Sequence, residues 1–139
     1  MRLIAVAAVL ALGGCSADTA LLSDQGDIRA RWEAQNIYPN NYKGDLLAYL
    51  RTYLNNPDHV RSTGLAAPQL KKIGPADRYV ACVRFDARNT DGVYKGVKEG
   101  AAVYVLARLD QFIDQPKVVR EICKDADYAP FPELEALRR

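Results

Sequence analysis

The most regular stretch of the chain runs from Arg78 to Arg88. Its odd positions, Tyr79, Ala81, Val83, Phe85 and Ala87, are apolar, while Arg78, Val80, Cys82, Arg84, Asp86 and Arg88 between them are mostly polar. Successive side chains of an extended chain point to opposite sides, so this alternation predicts a half-buried strand. Asn89-Thr90-Asp91-Gly92 follows as a turn, and Gly92, Gly96 and Gly100 keep the connection loose. Ala101 to Leu109 is apolar on both faces and predicts a second, more buried strand. The two are expected to form a long hairpin.

A different period governs residues 42–55. Tyr42, Leu46, Tyr49, Leu50, Tyr53 and Leu54 recur three and four apart, which places them on one face of a helix. Lys43, Asp45, Arg51 and Thr52 fall on the other. Tyr38-Pro39-Asn40-Asn41 leads in as a turn, with Asn40 or Asn41 placed to accept a bond from a free amide of the first helical turn. Pro57 ends the helix, because it disfavours helical geometry at Asn56. The odd face of the strand is expected to pack on this helix.

Elsewhere the patterns are weaker. An irregular edge strand is expected around His59 to Leu65, given Gly64 and Pro68. Pro68 to Ala76 reads as loop, broken by Gly74-Pro75. Gln111 to Asp114 reads as one helical turn, and Pro116 suits the start of a helix carrying Val118, Val119, Ile122 and Cys123. Tyr128 to Pro132 must be extended or turning, and Glu133 to Arg139 suits a short helical end. The sum is an α+β fold: a small antiparallel sheet built on a β-hairpin (about 78–88 and 101–109), packed on one main helix (about 42–55), as a single domain over 38–139.

The first residues carry an address. Arg2 precedes a run of apolar residues from Leu3 to Leu12, about half the roughly 20 that a spanning helix needs. Leu12-Gly13-Gly14-Cys15 follows, with small residues before the cysteine. This segment resembles the lipobox of a bacterial lipoprotein signal peptide. The resemblance implies removal of residues 1–14, a diacylglycerol on Cys15 and acylation of the new amino terminus. Two or more chains make a stable anchor, where one gives only marginal binding. Ser16, where an Asp would mark inner-membrane retention, implies an outer-membrane address facing the periplasm. Residues 15–37 then form a lipidated tether, interrupted around Ser23 to Gly26, with Ile28, Trp32 and Ile37 as scattered apolar points. Trp32 is expected to serve as core or lid rather than as a ligand platform.

With Cys15 lipidated, Cys82 and Cys123 remain, and in an oxidising compartment such a pair is expected to be bonded. The bond would pin the C-terminal segment across the polar face of the first strand. On the chain-entropy estimate it contributes roughly 4 kcal/mol.

Net charge is +2, of which Arg2 is one, so the remainder is near neutral and carries no nucleic-acid footprint. His59 is the only histidine, which excludes multi-histidine metal sites, and no Gly-x-Ser-x-Gly elbow occurs. His59 is expected in an exposed loop or at a strand start. Asn89, Asp91 and Gly92 mimic the middle of a calcium loop, but Ala87 and Lys98 stand where its Asp and Glu belong. Asp110, Asp114 and Lys124-Asp125-Ala126-Asp127 read as solvated surface. No catalytic residue, cofactor or metal is indicated.

Two groups are candidate binding surfaces. Of the eight tyrosines, Tyr38, Tyr42, Tyr49 and Tyr53 cluster on and before the helix, and tyrosine is common at interfaces. Arg84, Arg88, Lys95 and Lys98 could form a basic band at one end of the hairpin, suited to anionic polymer or lipid headgroups. Lipobox, helix, Cys-bearing hairpin and Pro-rich tail together resemble the small envelope lipoproteins of Gram-negative bacteria. With no catalytic motif in the chain, the expected role is a non-enzymatic accessory or binding module, held at the membrane by its lipid and meeting another envelope protein or an anionic envelope polymer. The alternatives are an enzyme or enzyme inhibitor acting on cell-wall material, which needs His59 beside carboxylates in a concave site, and a small-ligand carrier, which needs an apolar cavity.

Overall fold

The computed structural model describes residues 17–139, with side-chain surroundings from Gln25 onward. The signal segment, Cys15 and Ser16 lie outside the described residues. The elements are α1 (Ala17–Ala34), α2 (Tyr42–Tyr53), β1 (Asn56–Leu65), β2 (Gln69–Ile73), β3 (Ala76–Arg88), β4 (Lys98–Val105), β5 (Arg108–Ile113), α3 (Pro116–Ile122) and α4 (Pro132–Glu135).

The sheet is antiparallel, in the order β1-β3-β4-β5, with β2 also paired to β3. β3, the strand with the strict alternation, is its spine. β1 and β2 share one edge of it, β1 from Val83 to Arg88 and β2 from Ala76 to Val80. β4 takes the other edge, from Tyr79↔Tyr104 to Phe85↔Lys98.

Both faces of the spine are buried. Ala81, Val83 and Phe85 meet Leu46 and Leu50 of α2 and Leu54 just after it, as the odd-face pattern requires, and Phe131, Leu134 and Leu137 of the tail complete that core. The even face is less polar than its sequence implies. Val80 and Cys82 join Ala101, Val103, Ile113 and Val119 in a second cluster beneath α3. The Cys82–Cys123 disulfide, 41 positions apart in sequence with Cα atoms at 5.9 Å, ties the end of α3 to this face. After it the chain crosses the sheet edge, where Leu65 and Ala129 exchange backbone hydrogen bonds of 2.8 and 3.0 Å, and returns to the α2 side.

Several expectations give way. Residues 68–76 are not loop: β2 pairs with β3 across a Gly74-Pro75 turn in which Gly74 supplies the positive φ, 61°. β2 was not visible in the pattern because most of its residues are exposed on both faces. The second strand does not run to Leu109. It stops at Val105, turns at Leu106-Ala107 and returns as β5, so Gln111 to Ile113 are strand rather than helical turn. Leu106 and Ala107 have φ of 51° and 61°, the two positive values of a type I′ turn, without the Asn or Gly that normally mark one. Asn41 occupies the N-cap of α2 but makes no capping bond, because its backbone is near-helical rather than extended. Its side chain donates instead to Asp45 Oδ1 at 3.1 Å.

The segment read as a broken tether is helical from Ala17 to Ala34, passing through Gly26. Its last turn is clamped to the sheet. Arg78 donates to the Trp32 carbonyl at 2.8 Å and to Gln35 Oε1 at 3.0 Å, a cation on the carbonyls at a helix end. Trp32 belongs to neither buried cluster. It is half-buried and lines a small crevice with Lys72, Pro75 and Asp77 beneath α1.

An L-residue in left-handed geometry costs roughly 1–2 kcal/mol. Ala107→Gly should therefore stabilise the domain by about 1 kcal/mol, seen as a higher urea midpoint. A lowered midpoint would contradict the turn assignment.

Candidate binding site

β5 ends at Ile113 opposite Ala101, whereas β4 continues back to Lys98. Beyond Ile113, β4 is paired only to β3, and a cleft of about 680 Å³ opens there. Its walls are the end of α2, the β3–β4 connection and the start of α3. Phe85, Phe112, Tyr53 and Val97 supply apolar surface. Asn55, Asn89, Glu99 and Asp114 supply polar groups, and Arg88, Lys95, Lys98 and Arg120 supply positive charge.

The aromatic wall is built by packing. Phe112 lies against Tyr49 and Tyr53, each at 5.1 Å between centroids, and Tyr49 stacks on Tyr53 at 5.4 Å. Gly100 makes room, since a Cβ there would overlap the tip of the Phe112 ring. Tyr53 donates its hydroxyl to Asp114 Oδ2 at 2.7 Å. Burial, then that hydrogen bond and the Asp114 charge, push the Tyr53 hydroxyl up to about 12. Tyr49 is raised for the same reasons, burial first and Asp114 second.

The cationic wall depends on a buried carboxylate. Asp86 is 4% exposed. Its Oδ1 accepts the Gly96 N–H at 3.1 Å and its Oδ2 accepts Arg61 Nε at 3.0 Å. Arg61 lies 3.7 Å above the Tyr94 ring, and Tyr94 donates to the His59 carbonyl. This holds the far end of the loop in place, while Asn89 Oδ1 organises its start by accepting the Asp91 and Val93 amides, both at 3.0 Å. Asn89 to Gly92 is thus the turn its residues suggest. Among the described residues, Arg88, Lys95, Lys98 and Arg120 form no ion pair. Arg88 Nε is buried without a hydrogen-bond partner.

The sequence candidates divide. Tyr53, Arg88, Lys95 and Lys98 line the cleft, and Tyr49 backs it. Tyr42 and Tyr38 lie at the other end of α2. Tyr42 is half-buried and its carbonyl accepts the Tyr104 hydroxyl at 2.9 Å, while Tyr38 meets Tyr79 edge-on at 5.3 Å. Arg84 does not join the band. It lies over Gly64 with its guanidinium 4.7 Å from the Tyr128 ring centroid. Burial and Glu99 push the Tyr128 hydroxyl up to about 12 against the opposing pull of Arg84.

Asp110, Asp125 and Asp127 are exposed, and Lys124 pairs with Glu121 at 2.7 Å. Asp114 is exposed too, but it has a partner in Tyr53 that the sequence did not reveal. His59 is exposed on β1 and does not line the cleft. Among the described residues, no three His, Cys, Asp or Glu side chains are placed to hold a metal. Phe112, Arg120, Asp86, Arg61 and Tyr94 were missed. The one available signal was Asp86, an acid set between Arg84 and Arg88, but its partner Arg61 is 25 residues away. No protein-family model, curated protein or solved structure matches the chain.

A tyrosine held neutral in the fold stabilises it until the unfolded hydroxyl starts to ionise near pH 10. The tyrosine contribution is therefore expected to be level below pH 10 and stability to fall between pH 10 and 12, as Tyr53 and Tyr128 resist ionisation. Phenolate absorbance should show a late-titrating group that moves towards pH 10 in Asp114→Asn. An unchanged titration in that variant would contradict the Tyr53–Asp114 coupling.

Proposed function

We propose that the chain is a lipid-anchored accessory or binding protein of a bacterial envelope, held through Cys15 at the outer membrane with its domain facing the periplasm. The observation that carries this reading is the segment Leu12-Gly13-Gly14-Cys15, directly after a short apolar run that Arg2 precedes. The Cys82–Cys123 bond fits an oxidising compartment. Among the described residues, no helix is long and apolar enough to cross a membrane.

α1 gives the anchor a mechanical form. It begins two residues after Cys15 and ends clamped on Arg78, and a helix of 18 residues spans about 27 Å at 1.5 Å per residue. It serves as a spacer that carries the domain away from the bilayer surface. The cleft suits the binding of an anionic partner, because Arg88, Lys95, Lys98 and Arg120, none of them in an ion pair among the described residues, line it beside aromatic surface.

Metabolic labelling with a palmitate analogue tests the anchor. The parent protein should take up label and partition with detergent, and Cys15→Ser should lose label and remain aqueous. An unlabelled parent, or a labelled Cys15→Ser, would contradict the reading.

A further inference from the structure

We propose that the cleft between α2, α3 and the β3–β4 connection binds an acidic or phosphorylated sugar, with Tyr53 and Phe112 against the sugar ring and Arg88, Lys95, Lys98 and Arg120 around its anionic group. This names the ligand class for the binding role proposed above.

Size sets the first limit. A volume of about 680 Å³ falls within the range of small-molecule sites and is too small to enclose a folded partner. Charge sets the second. Four cations line the space against two carboxylates, Glu99 and Asp114. Asp114 already accepts the Tyr53 hydroxyl, and Glu99 stands opposite Arg84 in the strand register. Among the described residues none of the four cations forms an ion pair, and arginine and lysine give short, charge-assisted bonds to carboxylate or phosphate oxygens. Arg88 is held at the wall by the Tyr94 ring, 5.2 Å from its guanidinium carbon.

The remaining surface selects among anions. A bare inorganic ion would use the cations and leave the Tyr53–Phe112–Val97 wall idle, although Val97 is 55% exposed. An acyl chain would use that wall but leave Asn55, Asn89 and Glu99 facing hydrocarbon, at the cost of unpaired polar groups. A sugar presents both chemistries at once. Its C–H face suits aromatic rings, its hydroxyls suit amides and carboxylates, and one acidic substituent suits the cation cluster.

The test is calorimetric titration of the full chain in non-ionic detergent, with amide shifts recorded in parallel. N-acetylmuramic acid carries a carboxylate, glucosamine 6-phosphate carries a phosphate, and these two arms separate the possible head groups. Uncharged N-acetylglucosamine, inorganic phosphate and lysophosphatidylglycerol are the comparisons. At least one anionic sugar should bind about tenfold more tightly than any of those three, with shifts centred on the cleft lining, at Tyr53, Arg88, Lys95, Val97–Glu99, Phe112, Asp114 and Arg120. Lys95→Gln with Lys98→Gln, both exposed, should weaken it at least tenfold at an unchanged thermal midpoint. The proposal is overturned if neither anionic sugar binds at about 10 mM, if inorganic phosphate or the lysolipid binds as well, or if the double variant binds as the parent does. Any of these failures leaves palmitate labelling of Cys15 untouched, so the anchor reading stands or falls separately.

Discussion

Cys82 sits in the middle of the longest strand and Cys123 at the end of a seven-residue helix, and the bond between them closes one side of the domain. A helix this short has little stability of its own, and α3 buries only Val119 along its length. Apolar contact over that face comes from Val80, Ala101, Val103 and Ile113, mostly small side chains. The covalent link supplies what that contact lacks. On the chain-entropy estimate it is worth roughly 4 kcal/mol, a large share of the ~5–15 kcal/mol that holds a domain together. The α2 face has no such need, because Leu46, Leu50, Phe131 and Leu134 are fully buried there.

The cleft inherits its shape from this arrangement. One wall belongs to α2 and its aromatic neighbours, which rest on the larger core. The facing wall includes Pro116, Val119 and Arg120 of α3, whose far end the disulfide ties to the sheet. The third side is the β3–β4 connection, fixed by a buried carboxylate bonded to Gly96 and Arg61. Fixed backbone on three sides spares a ligand much of the ordering cost of binding.

Where a residue's surroundings were set by its own local period, the sequence was readable. The alternation of 78–88 placed Ala81, Val83 and Phe85 on the correct face, and the three-and-four spacing placed Leu46 and Leu50 under it. Elimination among the cysteines found the disulfide. The losses came where neighbours far along the chain decide the outcome. β2 is held by hydrogen bonds to β3 rather than by burial. The Leu106-Ala107 turn carries no turn residues, so the strand on either side of it looked continuous. Of the eight candidate surface residues, four, Tyr53, Arg88, Lys95 and Lys98, fell in the site. Phe112 was invisible as a wall until Gly100 proved to be the space it fills, and Asp86 read as one more polar position on a strand.

Hydrogen exchange combined with urea unfolding of Cys82→Ala/Cys123→Ala, set against the parent, shows whether the disulfide is what holds α3 on the sheet. The expected loss is about 4 kcal/mol, with amides of α3 and the Ile113 end of β5 exchanging fast while those of α2 and the Val83–Phe85 segment keep their protection. Unchanged stability with α3 still protected would show that the even face holds itself together, and that the bond is incidental to the fold.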